Sequence, residues 1–179
     1  MNTQLTLERF PTLNHEIKWG AIQCSFELIQ EVSSESLVSN VNLVPFAGHA
    51  WILLRLQNGS WDIPGGTLER GESYLDAIRR EILEEAGAHL IGFRPFGLWR
   101  CRSSSKQPFR PHIPHPVFHR LIGYGEVEIV AKPSNPAGDE QVIAVEYLPL
   151  KDVVERLRNT GRAELAELYI LAAALRDES

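Results

Sequence analysis

Three glutamates and an arginine crowd the end of one predicted helix. Arg80, Glu81, Glu84 and Glu85 fall within six residues, and the glutamates, spaced i, i+3 and i+4, share one side of a helix. Like-charge pairs at this spacing cost about 0.2–0.5 kcal/mol each, and carboxylates in a last turn also oppose the helix dipole. Mg²⁺ prefers such carboxylate oxygens and would relieve both costs. The cluster therefore predicts a metal site, and the alternative is a solvated acidic helix face.

Strong end signals around these residues predict a helix over 72–86. Ser73 is a suitable N-cap with Asp76 three residues later, and Gly87 suits the left-handed position after the last turn. At about 100° per residue, the glutamates point roughly 110° away from the apolar face and would line a groove beside the core. The apolar positions that recur at helical spacing and define that face are Leu75, Ile78, Ile82 and Ala86.

The sequence predicts strands on both sides of this helix, and these strands must position it. Short apolar runs separated by Gly, Pro and Ser predict strands, and periodic segments after Gly161 and before it predict two C-terminal helices. A central helix flanked by strands and followed by helices predicts a mixed sheet with helices on both faces. Residues 19–29 fit either a strand or a short helix. The predicted strands cover 41–47, 49–56, 88–102, 116–130 and 142–148, and the helices cover 151–158 and 163–176.

Whole-chain properties exclude several classes of protein. A length of 179 residues favours one domain, and 44% hydrophobic with 23% charged residues excludes disordered and fibrous classes. The net charge of −5 argues against non-specific binding of nucleic acid polymers or anionic membranes. If the substrate is a polyanion, a bound metal or a small basic cluster must neutralise it locally.

The cysteines and the chain ends bear on location. Cys24 and Cys101 form no CxxC pair and no zinc-type set, so we expect two free thiols in a reducing compartment. Residues 1–12 are polar and resemble no secretory signal, and the longest C-terminal apolar run, 169–175, is too short to span a bilayer. These features predict a soluble cytoplasmic protein.

The segment from Gly66 to Ala88 resembles the Nudix box, Gx5Ex7REUxEExGU, in which U is aliphatic. The resemblance covers residue 41 to about residue 157. It implies an α/β Nudix fold, with a mixed β-sheet sandwiched between α-helices. It also implies a Nudix domain over 41–179, C-terminal helices included, with residues 1–40 as an N-terminal extension packed on it. The matching positions are Gly66, Glu72, Arg80, Glu81, Ile82, Glu84, Glu85, Gly87 and Ala88.

The resemblance implies metal-dependent hydrolysis of a diphosphate linkage in a nucleoside diphosphate derivative, by water attack at phosphorus. Mg²⁺ or Mn²⁺ would be the cofactor. Carried over by position, Glu84 and Glu85 are implied metal ligands, Glu81 is a ligand or the general base, and the Gly66 carbonyl is a further ligand. Nucleoside triphosphates (oxidised ones included), ADP-ribose and dinucleotides all remain as small-molecule substrates.

Two further roles follow from the resemblance. Arg80 and Glu72 would orient the glutamates. Family members often add an acidic residue from a loop outside the box, and Glu140, just before the predicted strand 142–148, is the best positional candidate for a metal ligand or general base; Asp139 is second.

A basic segment between two predicted strands could select the substrate. Arg100, Arg102, Lys106 and Arg110 could pair with phosphates, and Phe109 could stack on a base. The alternatives are solvated loop charges and core packing.

Two other functions remain open on the same fold. A non-catalytic nucleotide-binding or sensor domain would bind without hydrolysis, and an isomerase would need further catalytic residues. The last predicted helix, 163–176, either caps the sheet or forms a homodimer.

Overall fold

The computed structural model describes residues 6–137 and 141–178, which form ten strands, three α-helices and two short 3₁₀ turns. The strands are β1 (Ile17–Trp19), β2 (Ile22–Leu28), β3 (Val38–Ala47), β4 (Ala50–Leu56), β5 (Trp61–Asp62), β6 (Gly65–Thr67), β7 (Ala88–Leu90), β8 (Arg94–Ser103), β9 (Val117–Ile129) and β10 (Val142–Leu148). The helices are α1 (Tyr74–Ala86), α2 (Leu150–Asn159) and α3 (Ala163–Asp177), and the 3₁₀ turns are Leu7–Arg9 and Glu35–Leu37.

The sheet is mixed, as predicted. Its main path runs β1-β2-β8-β9-β3-β4-β10, while β5 pairs with β4, β6 with β3 and β7 with β9. Among the described strands, β3 and β9 form the one parallel pair. Strand β3 therefore lies in the middle of the sheet and has β6, the strand that precedes α1 in sequence, on part of one edge.

Helices cover both faces of the sheet, because alternate residues of the central strands point to opposite sides. On β3, Val41 and Leu43 join the core formed with α1, whereas Val44 and Phe46 join the core formed with α2 and α3. The predicted arrangement of a mixed sheet between helices is confirmed.

Helix α1 has the predicted ends. Ser73 Oγ accepts a hydrogen bond from the Asp76 N–H at 3.1 Å, and Gly87 ends the helix in the left-handed conformation with φ 62°. A side chain at Gly87 would also overlap the Ala131 carbonyl oxygen. The buried face differs slightly from the prediction, because Leu75 is half-buried and Glu81 is buried instead.

Two strand predictions need correction. The predicted strand 88–102 is two strands, β7 and β8, which pair with successive parts of the long strand β9. Residues 19–29 contain no helix; with Ile17 and Lys18 they form the hairpin β1–β2, which turns at Gly20 with φ 60°. Strand β2 then pairs along its whole length with β8, so this hairpin extends the main sheet.

The free-thiol prediction for the two cysteines is wrong. Cys24 and Cys101 lie directly opposite each other on the paired strands β2 and β8 and form a disulfide. Their separation of 77 residues along the chain left no local sign of this contact. The cytoplasmic location stays a prediction.

The last helix packs on the sheet, which was one of the two arrangements predicted for it. Leu165, Leu168 and Ala172 are buried there. Tyr169 is fully buried among them, and its hydroxyl donates a hydrogen bond to the Ile52 carbonyl of β4. Among the residues that the structure describes, no helix combines the length and apolar character needed to cross a bilayer.

Candidate active site

The loop before α1 is held between the sheet and the helix. Strand β6 pairs with β3, with Gly65 opposite Asn42 and Thr67 opposite Asn40. The Gly65 N–H donates a hydrogen bond to Glu85 Oε2 at 2.9 Å. The last turn of α1 is thereby tied to the central strand, and the Glu85 carboxylate is fixed beside the loop backbone.

Gly66 allows Glu81 to approach this loop closely. Glu81 is 9% exposed, and a Cβ at residue 66 would overlap its carboxylate. Because Gly66 does not adopt a positive φ, glycine is required here for space and not for backbone conformation. The Gly66 backbone and the Glu81 carboxylate thus share one small volume.

Arg80 is the cation within the acidic cluster. Its Nε and Nη2 donate to the two carboxylate oxygens of Glu72 at 2.9 and 3.0 Å. Its Nη1 donates to Glu81 Oε1 at 2.8 Å and lies 3.5 Å from Glu84 Oε2. The hydrogen bonds from Arg80 lower the pKa of Glu72, and Glu72, more than any other group, raises the pKa of Arg80.

The donor set of this site suits a hard divalent cation. Glu81, Glu84 and Glu85 lie on one side of α1, and Arg80, already paired with Glu72, contacts Glu81 and Glu84. Carboxylate and carbonyl oxygens are the ligands that Mg²⁺ takes. Within residues 6–137 and 141–178, however, no three acidic, His or Cys side chains converge on one point. Glu140 and Asp139 lie outside the described residues.

A cavity of about 390 Å³ opens beside Glu85. It extends from the Glu85 carboxylate to the start of α3, and side chains from both the N-terminal hairpin and the central strands line it. Its volume is in the range of small-molecule sites. The aromatic and polar side chains that line it, apart from Glu85, include Trp19, Asn42, Asp62, Trp99, Arg120 and Arg162.

The predicted substrate-binding residues do not line this cavity. Arg100 pairs with Glu27 through two hydrogen bonds of 2.7 and 3.0 Å, and Arg102 is exposed on β8. Phe109 is 82% exposed, and the exposed Arg110 lies 5.8 Å from its ring centroid. Their role in substrate binding stays a prediction.

Sequence reasoning missed the residues that do line the cavity. Asp62, Arg120 and Arg162 come from β5, β9 and the residue before α3, and Trp19 comes from the hairpin whose structure was ambiguous. No local spacing links these positions. The one available signal was the positive charge of Arg120 within the predicted strand 116–130.

The family model of the NUDIX domain matches residues 37–170. The chain is 41% identical over 58 residues to an RNA pyrophosphohydrolase of Ruthia magnifica subsp. Calyptogena magnifica, covering 31% of this chain and 32% of that protein. It is 52% identical over 31 residues to the human 8-oxo-dGDP phosphatase NUDT18, covering 17% of this chain and 10% of that protein. Both matches span less than two thirds of the relatives' length.

Solved structures share the fold at low sequence identity. The pyrophosphohydrolase BsRppH of Bacillus subtilis superposes with a TM-score of 0.55 at 18% identity, over 75% of this chain and 77% of that one. A NUDIX hydrolase from Nitrosomonas europaea superposes with a TM-score of 0.54 at 20% identity, over 77% of this chain and 89% of that one. The box residues on β6 and α1, the fold around them and the match over residues 37–170 lead to one conclusion: this chain belongs to the Nudix family.

Proposed function

We propose that this protein hydrolyses a diphosphate linkage in a small nucleotide, by water attack at phosphorus, with Mg²⁺ or Mn²⁺ as cofactor. One observation carries the proposal: the acidic side of α1 is held against the β6 loop, and its last glutamate, Glu85, lines a cavity of nucleotide size. Three carboxylates on one side of a helix favour a divalent cation and the phosphates that bind to it. The names of the relatives, which describe pyrophosphohydrolase and phosphatase activities, agree with this chemistry.

The residues that would hold the metal are Glu81, Glu84, Glu85, the Gly66 carbonyl and Glu140. When bound, a divalent ion polarises phosphoryl oxygens and lowers the pKa of a bound water molecule.

The protein's own groups have distinct tasks in this proposal. The Gly65 N–H fixes the Glu85 carboxylate, and Arg80, anchored on Glu72, holds the carboxylate of Glu81. Either Glu81 or Glu140 accepts the proton from the attacking water. The cavity binds the nucleoside part of the substrate and so places the diphosphate against α1.

The test is turnover of a nucleotide panel with Mg²⁺ or Mn²⁺, followed by product mass measurement. The panel contains nucleoside triphosphates, 8-oxo-dGDP, ADP-ribose and dinucleotides. We expect hydrolysis of at least one compound and none after addition of a chelator. If the folded protein binds a compound but hydrolyses none, the proposal is wrong and the chain is a nucleotide-binding or sensor domain.

Glu85→Gln is the matching variant. It should lose turnover by at least about 100-fold, because it removes a charge that would hold the metal, while Gln still offers an oxygen to the Gly65 N–H. In the absence of metal its unfolding temperature should equal or exceed that of the wild type, since one like-charge repulsion is removed. Glu155→Gln, an exposed position on α2, is the control and should leave both quantities unchanged. Full activity in Glu85→Gln would contradict the role given to Glu85.

A further inference from the structure

Arg120 lies in the wall of the cavity, where its guanidinium has no hydrogen-bond or ion-pair partner among the described residues. It is half-buried on β9, and its guanidinium carbon lies 5.0 Å from the ring centroid of Trp19. Within residues 6–137 and 141–178, no acceptor forms a hydrogen bond or an ion pair with it. Partial burial of a charge that has no hydrogen-bonded partner is costly, and burial lowers the pKa of Arg120, although the nearby Asp62 acts in the opposite direction. The guanidinium is thus poised for an acceptor on a ligand.

The acids in the same cavity wall are engaged by a second arginine. Arg162, just before α3, donates from Nε to Glu164 Oε1 at 2.7 Å and from Nη1 to Asp62 Oδ2 at 3.2 Å. Two arginines and two acids therefore line the cavity beyond Glu85, and their formal charges cancel. This part of the cavity suits a neutral polar group better than another phosphate.

Asp62 keeps room for one more donor. Its Oδ1 accepts from the Ile63 N–H at 2.8 Å and from Arg162 Nη2 at 3.4 Å, and its Oδ2 accepts from Arg162 Nη1. An ionised carboxylate has about four acceptor positions, so one position on Oδ2 remains. The cavity thus offers a guanidinium fork, a carboxylate acceptor and the indole rings of Trp19 and Trp99, whose centroids are 5.3 Å apart.

We propose that Arg120 makes this cavity selective for guanine-type bases, that is, purines with a carbonyl oxygen at C6. The inference deepens the proposed function and rests on it for the placing of the nucleoside. Guanine presents two acceptors, O6 and N7, to an arginine fork, and its N–H groups can donate to Asp62. Adenine presents an amino donor in place of O6, which would oppose the N–H groups of Arg120. Arg120 is therefore the specificity-determining residue.

The test measures binding of three mononucleotides, GMP, IMP and AMP, to the full-length protein without metal, by titration calorimetry. For the wild type we expect GMP and IMP, which share the C6 carbonyl, to bind roughly 5- to 150-fold more tightly than AMP, the range of one bidentate arginine contact to a base. Arg120→Gln should weaken the binding of GMP and IMP without weakening that of AMP, because Gln can bond the N6 amino group and N7 of adenine. Arg120→Lys keeps the charge without the planar fork and should reduce the preference.

Arg55→Gln is the matched control, because Arg55 also lies over a tryptophan ring, 5.8 Å from the centroid of Trp61, but is exposed and lies outside the cavity wall. It should keep the guanine preference. Thermal unfolding checks that each variant is folded. If Arg120→Gln fails to fold, the inference is tested by the base preference of Arg120→Lys and by the affinities of the wild type for GMP, IMP and AMP.

Two results would overturn the inference: equal affinity of the wild type for GMP and AMP, or equal weakening of all three nucleotides in the Arg120 variants, which would indicate a phosphate contact. The outcome is separable from that of the hydrolase proposal. Selective GMP binding without turnover of any panel compound would contradict hydrolysis and support the base preference. Turnover without a base preference would support hydrolysis and contradict the base preference.

Discussion

Arg80 forms hydrogen bonds with glutamates both in the loop before α1 and on the helix itself. Two of its nitrogen atoms bond both carboxylate oxygens of Glu72 in the loop before α1, so this arginine is anchored outside the row of helix glutamates. It reaches Glu81 with its third nitrogen, Nη1, which lies only at the edge of contact with Glu84. Arg80 therefore ties the loop before α1 to the glutamates on the helix.

The Arg80–Glu72 pair should make stability depend on pH. Because Arg80 lowers the pKa of Glu72 below its ordinary value of 4.5, the pair stabilises the fold at neutral pH, and this contribution is lost as the pH falls through the lowered pKa. We expect Glu72→Gln to lose about 1–3 kcal/mol at pH 7, the range for hydrogen bonds to charged groups. The difference from the wild type should shrink well below pH 4.5.

Urea unfolding at a series of pH values measures this effect. Glu155→Gln, on an exposed part of α2, should follow the wild type at every pH. A difference between Glu72→Gln and the wild type that stays constant down to the acid range would mean that the ionised carboxylate is not the stabilising form.

For individual residues, the sequence predicted the positions of the Nudix box but did not predict the other residues that line the cavity. The acidic cluster is local, so its spacing alone brings Glu81, Glu84 and Glu85 to one side of a helix. Asp62 and Arg120 are 58 residues apart and meet only through strand pairing. Nothing in the sequence near either residue indicates the other.

The contact between β6 and α1 depends on the missing side chain at Gly66. Gly66→Ala should destabilise the protein by about 1–3 kcal/mol, the usual cost of overpacking, because its Cβ would overlap the Glu81 carboxylate. Displacement of Glu81 should also reduce turnover.

The matched control is Gly92→Ala, since a Cβ at residue 92 meets no atom within 4 Å and the backbone there has no positive φ. Thermal unfolding and the rate on the best substrate are the measurements. Equal behaviour of the two variants would show that space at Gly66 does not matter.

Helices and strands with a clear apolar periodicity were predictable from the sequence. Strands whose bounds depend on the strands they pair with were not. Strand β10 and helix α3 carry their own apolar patterns and lie where expected. Strands β7 and β8 were predicted as one strand, and only their separate pairing with β9 divides them. Residues 19–29 could not be assigned to a strand or a helix from sequence, because pairing with β8, which is distant in sequence, defines the hairpin β1–β2.

The disulfide joins the N-terminal hairpin to the rest of the molecule. Cys24 and Cys101 close a long loop of the chain, and constraint of the unfolded chain by such a cross-link typically contributes about 2–4 kcal/mol. Reduction should therefore lower the unfolding temperature. The measurement is thermal unfolding of the wild type and of the Cys24→Ala/Cys101→Ala double variant, each with and without a thiol reductant.

The double variant should unfold near the temperature of the reduced wild type and should not respond to the reductant. If reduction leaves the wild type unchanged, the cross-link does not contribute to stability.

The parallel pairing of β3 with β9 has a consequence for how the protein is made. Strand β3, which carries Asn42 opposite Gly65 of β6, gains its neighbour Arg120 only when residues 119–126 align with 38–46. A ribosome adds about 5–20 residues per second, so several seconds pass between the emergence of the two strands. During that interval β3 has an unpaired edge, and a nascent chain halted before Val117 would contain the whole Nudix box, Gly66–Ala88, yet could not complete the cavity that Arg120 lines.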